Sequence, residues 1–244
     1  MPRSTTLSKL AEFAPDQWGL ITRKQAEEAG VSPATMTRLT GDRSTLERVG
    51  HGVYHLVGAP IPDHLPLRVA WLQLAPDVPA WRRTAEEGVV SHRSAAELYG
   101  LGHLPADRHE FTVPRRRRSR RPDVKLHVRK LRDDEWITLR GLPVTRPSRI
   151  ASDLLADHEE PGAMAQLVAD AIRNEYDYPG AIADALAPHA AAFGFRRGGG
   201  LALLRSLLDL VDDSDAERWL EEARAHVGAR RSTPPPSPTT ILSA

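Results

Sequence analysis

The amino-acid sequence predicts an α+β fold. A small N-terminal domain of helices and a β-hairpin precedes a mixed α/β domain with a small sheet and C-terminal helices. Three observations predict it. Short amphipathic helical segments with N-cap residues are followed by two β-type runs around a Gly-x-Gly turn. Four further short β-type runs occupy the middle of the chain, and longer apolar helical faces follow them.

The N-terminal part contains three predicted helices. The first spans residues 4–13, where apolar side chains recur on one face. The second follows the motif TRKQ at 22–25, which has the spacing of a capping box. That helix ends at Gly30, a residue suited to the left-handed C-terminal position. Ser32 then caps the third helix, which runs to about residue 40.

The third helix has two distinct faces. At about 100° per residue, Met36 and Leu39 share one face and are expected to pack inward. The opposite face presents Ala34, Thr37 and Arg38 to solvent. A helix with a polar exposed face of this width fits the major groove of DNA.

Two β-type runs, 46–49 and 53–57, flank Gly50-His51-Gly52 and predict a hairpin. The order helix, capped helix, glycine turn, helix, hairpin is typical of a winged helix-turn-helix, a module that binds double-stranded DNA. The alternative is a small three-helix domain whose hairpin serves only to dock proteins.

The chain divides into four predicted segments. Residues 1–58 form the winged helix-turn-helix, and residues 59–66, which include three prolines, form a linker. Residues 67–228 form the α+β domain. Residues 229–244 are rich in Pro and Ser, cannot bury a core and are expected to be disordered.

The second domain contains helices and four short strands. Helices are predicted at 67–74 and 91–100, and again from Ser148 onward, where Met164, Leu167 and Val168 begin a clear apolar face. The predicted strands are residues 110–113, 124–129, 136–139 and 142–145.

Charge is strongly segregated along the chain. Residues 114–132 contain ten Lys or Arg and one acid, a net charge of +9, although the whole chain carries only +1. The arginine run, residues 115–121, lies between two predicted strands, so we expect it to form a hairpin loop. It could contact DNA phosphates, dock an acidic partner or simply be solvated. Its arginines are Arg115, Arg116, Arg117, Arg118, Arg120 and Arg121.

Residues 150–227 carry the opposite charge, with fifteen acids and six arginines. An acidic helical surface repels DNA. It could bind a basic protein, fold against the chain's own arginine run or serve solubility.

The winged helix-turn-helix suggests three kinds of DNA contact. Arg38 on the third helix can bond guanine bidentately, and Thr37 can contact a base or a thymine methyl. Residues at helix N-termini favour phosphate, and residues of the wing can follow the minor groove or backbone. For each residue the alternative is a solvated side chain. The predicted DNA-binding residues are Arg23, Lys24, Ser32, Thr37, Arg38, Arg48 and His51.

No catalytic, metal or cofactor site is predicted. His51 and His55 fall across the hairpin, and Gly198-Gly199-Gly200 lacks the Lys-Ser/Thr of a phosphate loop. Ser91 and His92 are adjacent, and neighbours rarely form a nucleophile–base pair. The aspartates at 209, 212, 213 and 215 suit helix capping. The alternative, a nucleic-acid-processing enzyme targeted by the helix-turn-helix, would need these aspartates.

Composition suggests a cytoplasmic protein. Hydrophobic residues make up 41% of the chain and charged residues 27%, so it can bury a core. It has no cysteine, and its N-terminus lacks the apolar core of a signal peptide. No apolar run reaches the length of a membrane span, so we expect no membrane partner.

Several ordered blocks resemble the AbiEi-type antitoxins, the transcriptional-regulator halves of bacterial toxin–antitoxin pairs. The resemblance covers about residues 4–155, and the order of the blocks makes it more specific than any block alone. The blocks are LITRKQA at 20–26, GVS at 30–32, LERVGHGVY at 46–54, SHRSAAELYGL at 91–101, TVPRR at 112–116 and GLPVTRPSR at 141–149.

The resemblance implies a DNA-binding autorepressor of its own operon that binds inverted repeats, with a homodimer on DNA. It also implies a toxin partner that resembles a nucleotidyltransferase, which the antitoxin counters either functionally or by contact. Some related proteins continue into an endonuclease-like domain, and residues 202–227 are similar to the lead-in to it. Here a Pro-rich tail follows, so we expect no nuclease chemistry.

Overall fold

A computed structural model of the protein describes residues 10, 13, 15–41, 45–119 and 121–232. It contains two compact units. One comprises Met1–Leu98 with Pro105–Thr145, and the other comprises Tyr99–Leu104 with Arg146–Ala244. Most of the predicted first helix (4–13) and the tail residues 233–244 lie outside the described residues.

The first unit begins with a winged helix-turn-helix, as predicted. Its three-stranded sheet has the order β1-β3-β2, and all neighbours are antiparallel. The first strand is too short to show a β-type period in the sequence, so it was not predicted. The elements are β1 (Leu20–Thr22), α1 (Arg23–Glu28), α2 (Pro33–Gly41), β2 (Leu46–Gly50) and β3 (Val53–Leu56). Their core contains Leu10, Ile21, Ala26, Val31, Met36, Leu39 and Leu46.

A five-stranded sheet of order β6-β5-β4-β8-β7 follows in the same unit. Strand β4 lies at its centre, antiparallel to β5 and parallel to β8. The mixed α+β class is therefore confirmed. Helix α3, the first helix after the winged helix-turn-helix, begins at Leu65, inside the segment that was predicted as a linker. The elements are α3 (Leu65–Leu74), β4 (Val89–Val90), α4 (His92–Tyr99), β5 (His109–Val113), β6 (Val124–Val128), β7 (Trp136–Leu139) and β8 (Leu142–Thr145).

The arginine run does not form the predicted hairpin. Strands β5 and β6 pair in parallel, with Phe111 opposite Leu126. A parallel pair requires the chain to return to the starting end of the sheet before the second strand begins. Residues 114–123 therefore form a crossover that runs back along the strands. The prediction was wrong because alternation identifies strands but does not determine their relative direction.

The guanidinium group of Arg83 organises the chain after α3. It donates to the carbonyl oxygens of Trp71 at 2.5 Å, Leu72 at 2.8 Å, Ala75 at 2.6 Å and Val78 at 3.0 Å. It also lies 4.3 Å from the centre of the Trp71 ring. The last carbonyl oxygens of a helix have no donors within the helix. The Arg83 side chain supplies donors to those of Trp71 and Leu72. Burial lowers the pKa of Arg83 to about 10, which leaves it charged at neutral pH.

The winged helix-turn-helix is attached to this same segment. The Thr22 hydroxyl donates to the Pro76 carbonyl, and the Gln25 side-chain amide donates to the Val78 carbonyl at 3.3 Å. Both side chains also form the capping box of α1. The start of α1 is thus bonded to the turn that follows α3.

The second unit is helical. The predicted face that begins with Met164, Leu167 and Val168 is buried. The last helix extends to Ser232, past the predicted domain boundary at 228. No helix among the described residues has the length and apolar character needed to cross a membrane. The helices are α5 (Pro147–Ala156), α6 (Pro161–Arg173), α7 (Pro179–Leu186), α8 (Gly200–Leu210) and α9 (Ala216–Ser232).

Replacing Arg83 by methionine should lower the free energy of unfolding by about 3 kcal/mol, because hydrogen bonds to charged groups contribute about 1.5–3 kcal/mol each and carbonyls lose their donor. Urea unfolding measures the change. The neighbouring Arg82 side chain is exposed, so Arg82→Met serves as the matched control and should remain within about 0.5 kcal/mol of the parent. Equal effects of the two substitutions would contradict this role for Arg83.

Candidate nucleic-acid interface

The helix-turn-helix is formed by two capped helices. At α1, the Gln25 amide N–H donates to the Thr22 hydroxyl at 3.1 Å, and the Gln25 side chain accepts from the Thr22 N–H at 3.0 Å. At α2, the Thr35 N–H donates to the Ser32 hydroxyl at 3.2 Å. Val31 is buried in the turn between them. The capping predicted from the sequence is confirmed, and it sets where α2 begins.

Helix α2 turns one face inward and one outward. Met36 and Leu39 are buried, whereas Thr37 and Arg38 are exposed. The Thr37 hydroxyl donates to the Pro33 carbonyl at 3.0 Å. Within the described part of the chain, the Arg38 guanidinium has no hydrogen bond or ion pair. The Arg38 side chain therefore lies at the surface of the domain.

The wing is the β2–β3 hairpin, and its turn contacts the start of α1. The Arg23 N–H donates to the Gly52 carbonyl at 2.8 Å. On the other side of the turn, an Arg48 guanidinium nitrogen lies 3.4 Å from Nδ1 of His51. Arg23 also forms an ion pair with Glu27 at 2.8 Å, which raises the pKa of Arg23.

The seven predicted DNA-binding residues are all exposed. Five of them form two groups. Arg23, Arg48 and His51 surround the wing turn, and Thr37 and Arg38 lie on the outer face of α2. Ser32 caps α2, so its hydroxyl is already bonded. Lys24 lies on the first turn of α1 and is exposed. Their role in binding DNA stays a prediction.

Helix α3 connects the wing to the arginine run, and this connection was not predicted. The Gln73 side-chain amide donates to the His51 carbonyl at 2.8 Å. Its oxygen accepts from Arg121 at 2.6 Å. The wing also packs closely on α3, because a Cβ added at Gly50 would lie 2.5 Å from Cγ1 of Val69. A glutamine within a helix carries no sequence signal for such a contact.

Two arginines anchor the run to the rest of the first unit. Arg117 donates to the Glu86 carbonyl at 2.8 Å, and Arg121 donates to the Asp123 carboxylate at 2.8 Å. Arg115, Arg116 and Arg118 are exposed. Arg120 lies outside the described residues. The run is therefore attached to the body of the first unit and presents exposed guanidinium groups beside its two anchors.

A buried charged cluster on the five-stranded sheet was also not predicted. Glu110 lies 2.7 Å from Nε2 of His127 and 3.3 Å from the Lys125 ammonium. Burial opposes the charge on Glu110, but the hydrogen bond from His127 and the positive charge of Lys125 outweigh it and lower the pKa of Glu110. The His127 ring stacks on His92, with ring centres 3.4 Å apart.

The adjacent residues Ser91 and His92 form a hydrogen bond with each other. The Ser91 hydroxyl lies 3.0 Å from Nδ1 of His92. Ser91 is completely buried, and its carbonyl accepts from the Ala95 N–H at 3.2 Å in the first turn of α4. The pair thus supports the start of a helix, and its hydroxyl is out of reach of a substrate in this conformation.

Asp213, one of the clustered aspartates, accepts hydrogen bonds from the backbone at the start of α9, in line with the capping that the sequence suggested. The Asp215 N–H donates to the Asp213 carboxylate at 2.9 Å, and the Ala216 N–H donates to the Asp213 carbonyl at 3.1 Å. The Asp213 carboxylate also pairs with Arg173. These contacts account for a carboxylate at this position without a bound metal.

The Arg121–Asp123 pair predicts an acid transition in the arginine run. The hydrogen bond from Arg121 lowers the pKa of Asp123 to about 2, from an ordinary value of 3.8. Because the folded pKa is depressed, the pair stabilises the fold above the ordinary value, and this contribution disappears as the pH falls toward 2. An NMR titration of the Asp123 carboxyl group should show it ionised between these values.

Arg121→Gln should move the Asp123 titration back toward 3.8, whereas Arg116→Gln, at an exposed position, should leave it unchanged. An unchanged midpoint in Arg121→Gln would contradict the assignment of the shift to this pair.

Comparisons with known proteins match both parts of the chain. Residues 8–57 match the family described as a transcriptional regulator, AbiEi antitoxin, and residues 88–175 match the AbiEi antitoxin C-terminal domain. Among solved structures, the RV2827C protein from Mycobacterium tuberculosis is similar, with 19% identity over 89% of this chain and 81% of that chain and a TM-score of 0.48. A comparison with curated proteins found no match. The two family matches occur in the expected order and together span more than half of the chain, and the protein belongs to the AbiEi antitoxin and transcriptional-regulator family.

Proposed function

We propose that this protein is a cytoplasmic DNA-binding autorepressor and antitoxin that counters a nucleotidyltransferase-like toxin. The observation that carries the proposal is the exposed outer face of α2 beside the wing, within a chain that matches a family of transcriptional regulators. In this proposal residues 1–58 bind the promoter of the protein's own operon, and residues 67–228 form the antitoxin domain. The protein has no catalytic role in it.

Each predicted residue has a defined part in the proposed complex. Arg38 reads a guanine and Thr37 a neighbouring base in the major groove, because both lie on the outer face of α2. A homodimer would place two such helices on an inverted repeat. The phosphate contacts come from the start of α1, the cap of α2 and the wing, which contribute Arg23, Lys24, Ser32, Arg48 and His51.

The arginine run is proposed as a second phosphate contact. Gln73 bonds the wing turn on one side and Arg121 on the other, so the wing and the run are attached to the same helix. The guanidinium groups of Arg115, Arg116 and Arg118 are exposed. Cations next to a DNA-binding wing attract the phosphate backbone regardless of base sequence.

Gel-shift titration with the DNA immediately upstream of the gene tests the proposal, against a scrambled duplex at two salt concentrations. Arg38→Ala should cost about 1–3 kcal/mol at the upstream site and reduce discrimination against the scrambled duplex. Arg108→Ala, which removes an exposed arginine from the same unit, is the matched control and should bind as the parent does. Equal affinity of the parent for both duplexes would reject sequence-specific repression.

The triple variant with Gln at positions 115, 116 and 118 should behave differently in the same titration. It should weaken binding to both duplexes alike, and the slope of log affinity against log salt should fall by about 1 for each phosphate that the variant no longer neutralises. An unchanged slope would remove the run from the DNA interface and favour docking to an acidic protein instead.

The antitoxin part is tested separately by co-expression with the adjacent toxin gene. Co-expression of the full chain should restore growth. A pull-down of the two full-length proteins then shows whether the antitoxin neutralises the toxin by direct contact or antagonises it without binding. Growth arrest that persists with the full chain would reject the antitoxin role while leaving repression intact.

A further inference from the structure

A cleft in the first unit lies beside the sheet of the winged helix-turn-helix. Its volume is about 590 Å³, within the range of about 300–1,000 Å³ that small-molecule sites occupy. The segments before β1 and after β3 form two of its sides, and residues of α3 and of the β7–β8 turn complete it. The seven predicted DNA-binding residues lie in the described part of the chain and are not among those that line the cleft.

A buried positive charge forms part of the wall of this cleft. Arg68 lines the cleft, although the residue is only 2% exposed. Its Nε donates to the Asp63 carbonyl at 2.8 Å, and its Nη1 donates to the Arg140 carbonyl at 3.0 Å. Its Nη2 has no hydrogen-bond partner among the described residues and is not completely buried. The donors of Nη2 therefore keep surface that a ligand in the cleft can reach.

The charge of Arg68 is only partly compensated. The Asp63 carboxylate raises the pKa of Arg68, but burial has the larger effect and lowers that pKa. Asp63 also forms an ion pair with Arg140 at 3.0 Å. The described lining of the cleft thus has two arginines against one aspartate, a net charge of +1. Because a buried charge is costly unless it is paired, the cleft favours a ligand with one negative charge.

The other walls of the cleft are mainly apolar. The Trp18 ring lines it, and the Arg68 guanidinium lies 4.2 Å from the centre of that ring. Ile61 is 76% exposed, so an apolar ligand would bury surface against it. Prolines at positions 60 and 62 restrict the backbone on both sides of Ile61, which limits the conformational entropy that binding would cost. These walls suit an apolar body of aromatic or branched shape.

We propose that this cleft binds a small monocarboxylic acid with an aromatic or branched apolar body. The carboxylate accepts hydrogen bonds from Nη2 of Arg68, and the apolar body packs against Trp18 and Ile61. Gly19, which also lines the cleft, immediately precedes β1, and its carbonyl accepts from the Leu56 N–H of β3 at 2.9 Å. The ligand would thus contact the sheet of the winged helix-turn-helix away from the proposed DNA contacts, and its binding can be tested without DNA.

NMR of the full chain with ¹⁵N-labelled tryptophan indoles detects occupancy of the cleft through Trp18. The Trp18 signal is assigned by its loss in Trp18→Phe. Titration with benzoate, phenylacetate and isovalerate should shift this signal saturably for at least one of the three acids. The uncharged amide of the acid that binds best should bind roughly tenfold more weakly, because it loses a hydrogen bond between charged groups. Acetate, which lacks the apolar body, should also bind more weakly.

Two exposed apolar residues provide matched variants. Ile61→Asp places a carboxylate in the cleft and removes an apolar contact, so it should weaken binding of the acid roughly tenfold or more. Val57 is 49% exposed but is not among the residues that line the cleft, so Val57→Asp should bind the acid as the parent does.

Arg68→Met tests the buried charge itself and should weaken binding of the acid roughly tenfold. Its melting temperature checks that the variant is folded. If it does not fold, the comparison of the acid with its amide still measures the contribution of the charge.

Three results would overturn the proposal. They are the absence of a saturable Trp18 shift with all three acids, equal affinity for the best acid and its amide, and unchanged affinity in Ile61→Asp. The gel-shift titration of the parent protein is a separate measurement, so failure of acid binding and failure of DNA binding are distinguishable.

Discussion

The structure of the first unit depends on how Arg83 binds the carbonyls that α3 leaves unpaired. Helix ends expose acceptors that must be satisfied. A single guanidinium group here donates to two carbonyls of the last turn of α3, to the C-cap carbonyl of Ala75 and to Val78 in the turn beyond, while stacking on Trp71. The turn that it holds then presents further carbonyls to Thr22 and Gln25, the two residues that cap α1. The end of α3 therefore determines the position of the helix-turn-helix that precedes it in the chain.

Helix α3 is consequently the common support of the surfaces proposed to meet DNA. Its C-terminal end holds α1 through the Arg83 turn, while Gln73 bonds both the wing turn and Arg121. The close approach of Gly50 to Val69 leaves no room for a side chain between the wing and the helix. The groups proposed to read bases and to bind phosphate are in this way attached to one helix.

Local features of the sequence predicted much of this architecture. Periodicity located α2 and its buried residues Met36 and Leu39, and the TRKQ motif predicted a capping box that the structure contains. These signals are local, because a helix face and its cap are encoded within a few residues. The exposed position of Arg38 followed from the same argument, although its contact with DNA remains a prediction.

Most of the features that sequence reasoning missed depend on partners that the local sequence does not reveal. Alternation at 124–128 indicated a strand but not its parallel pairing with β5. Arg83 and Gln73 resemble ordinary surface residues until their partners, 5–12 and 22–48 positions away, are known. Tertiary packing, rather than local propensity, decides each of these.

The parallel pairing of β5 and β6 has a consequence for the salt dependence of folding. Arg115, Arg116, Arg117 and Arg118 occupy successive positions of the crossover, and consecutive Cα atoms are about 3.8 Å apart, well within the Debye length of about 10 Å at 0.1 M salt. Folding of the crossover therefore holds like charges close together, and their repulsion lowers the stability of the fold. Dissolved ions screen this repulsion. Added salt stabilises the free fold through this segment, while it weakens the proposed attraction of the same segment to DNA. The ionic strength that best preserves the protein is thus not the one at which it would hold its operator most tightly.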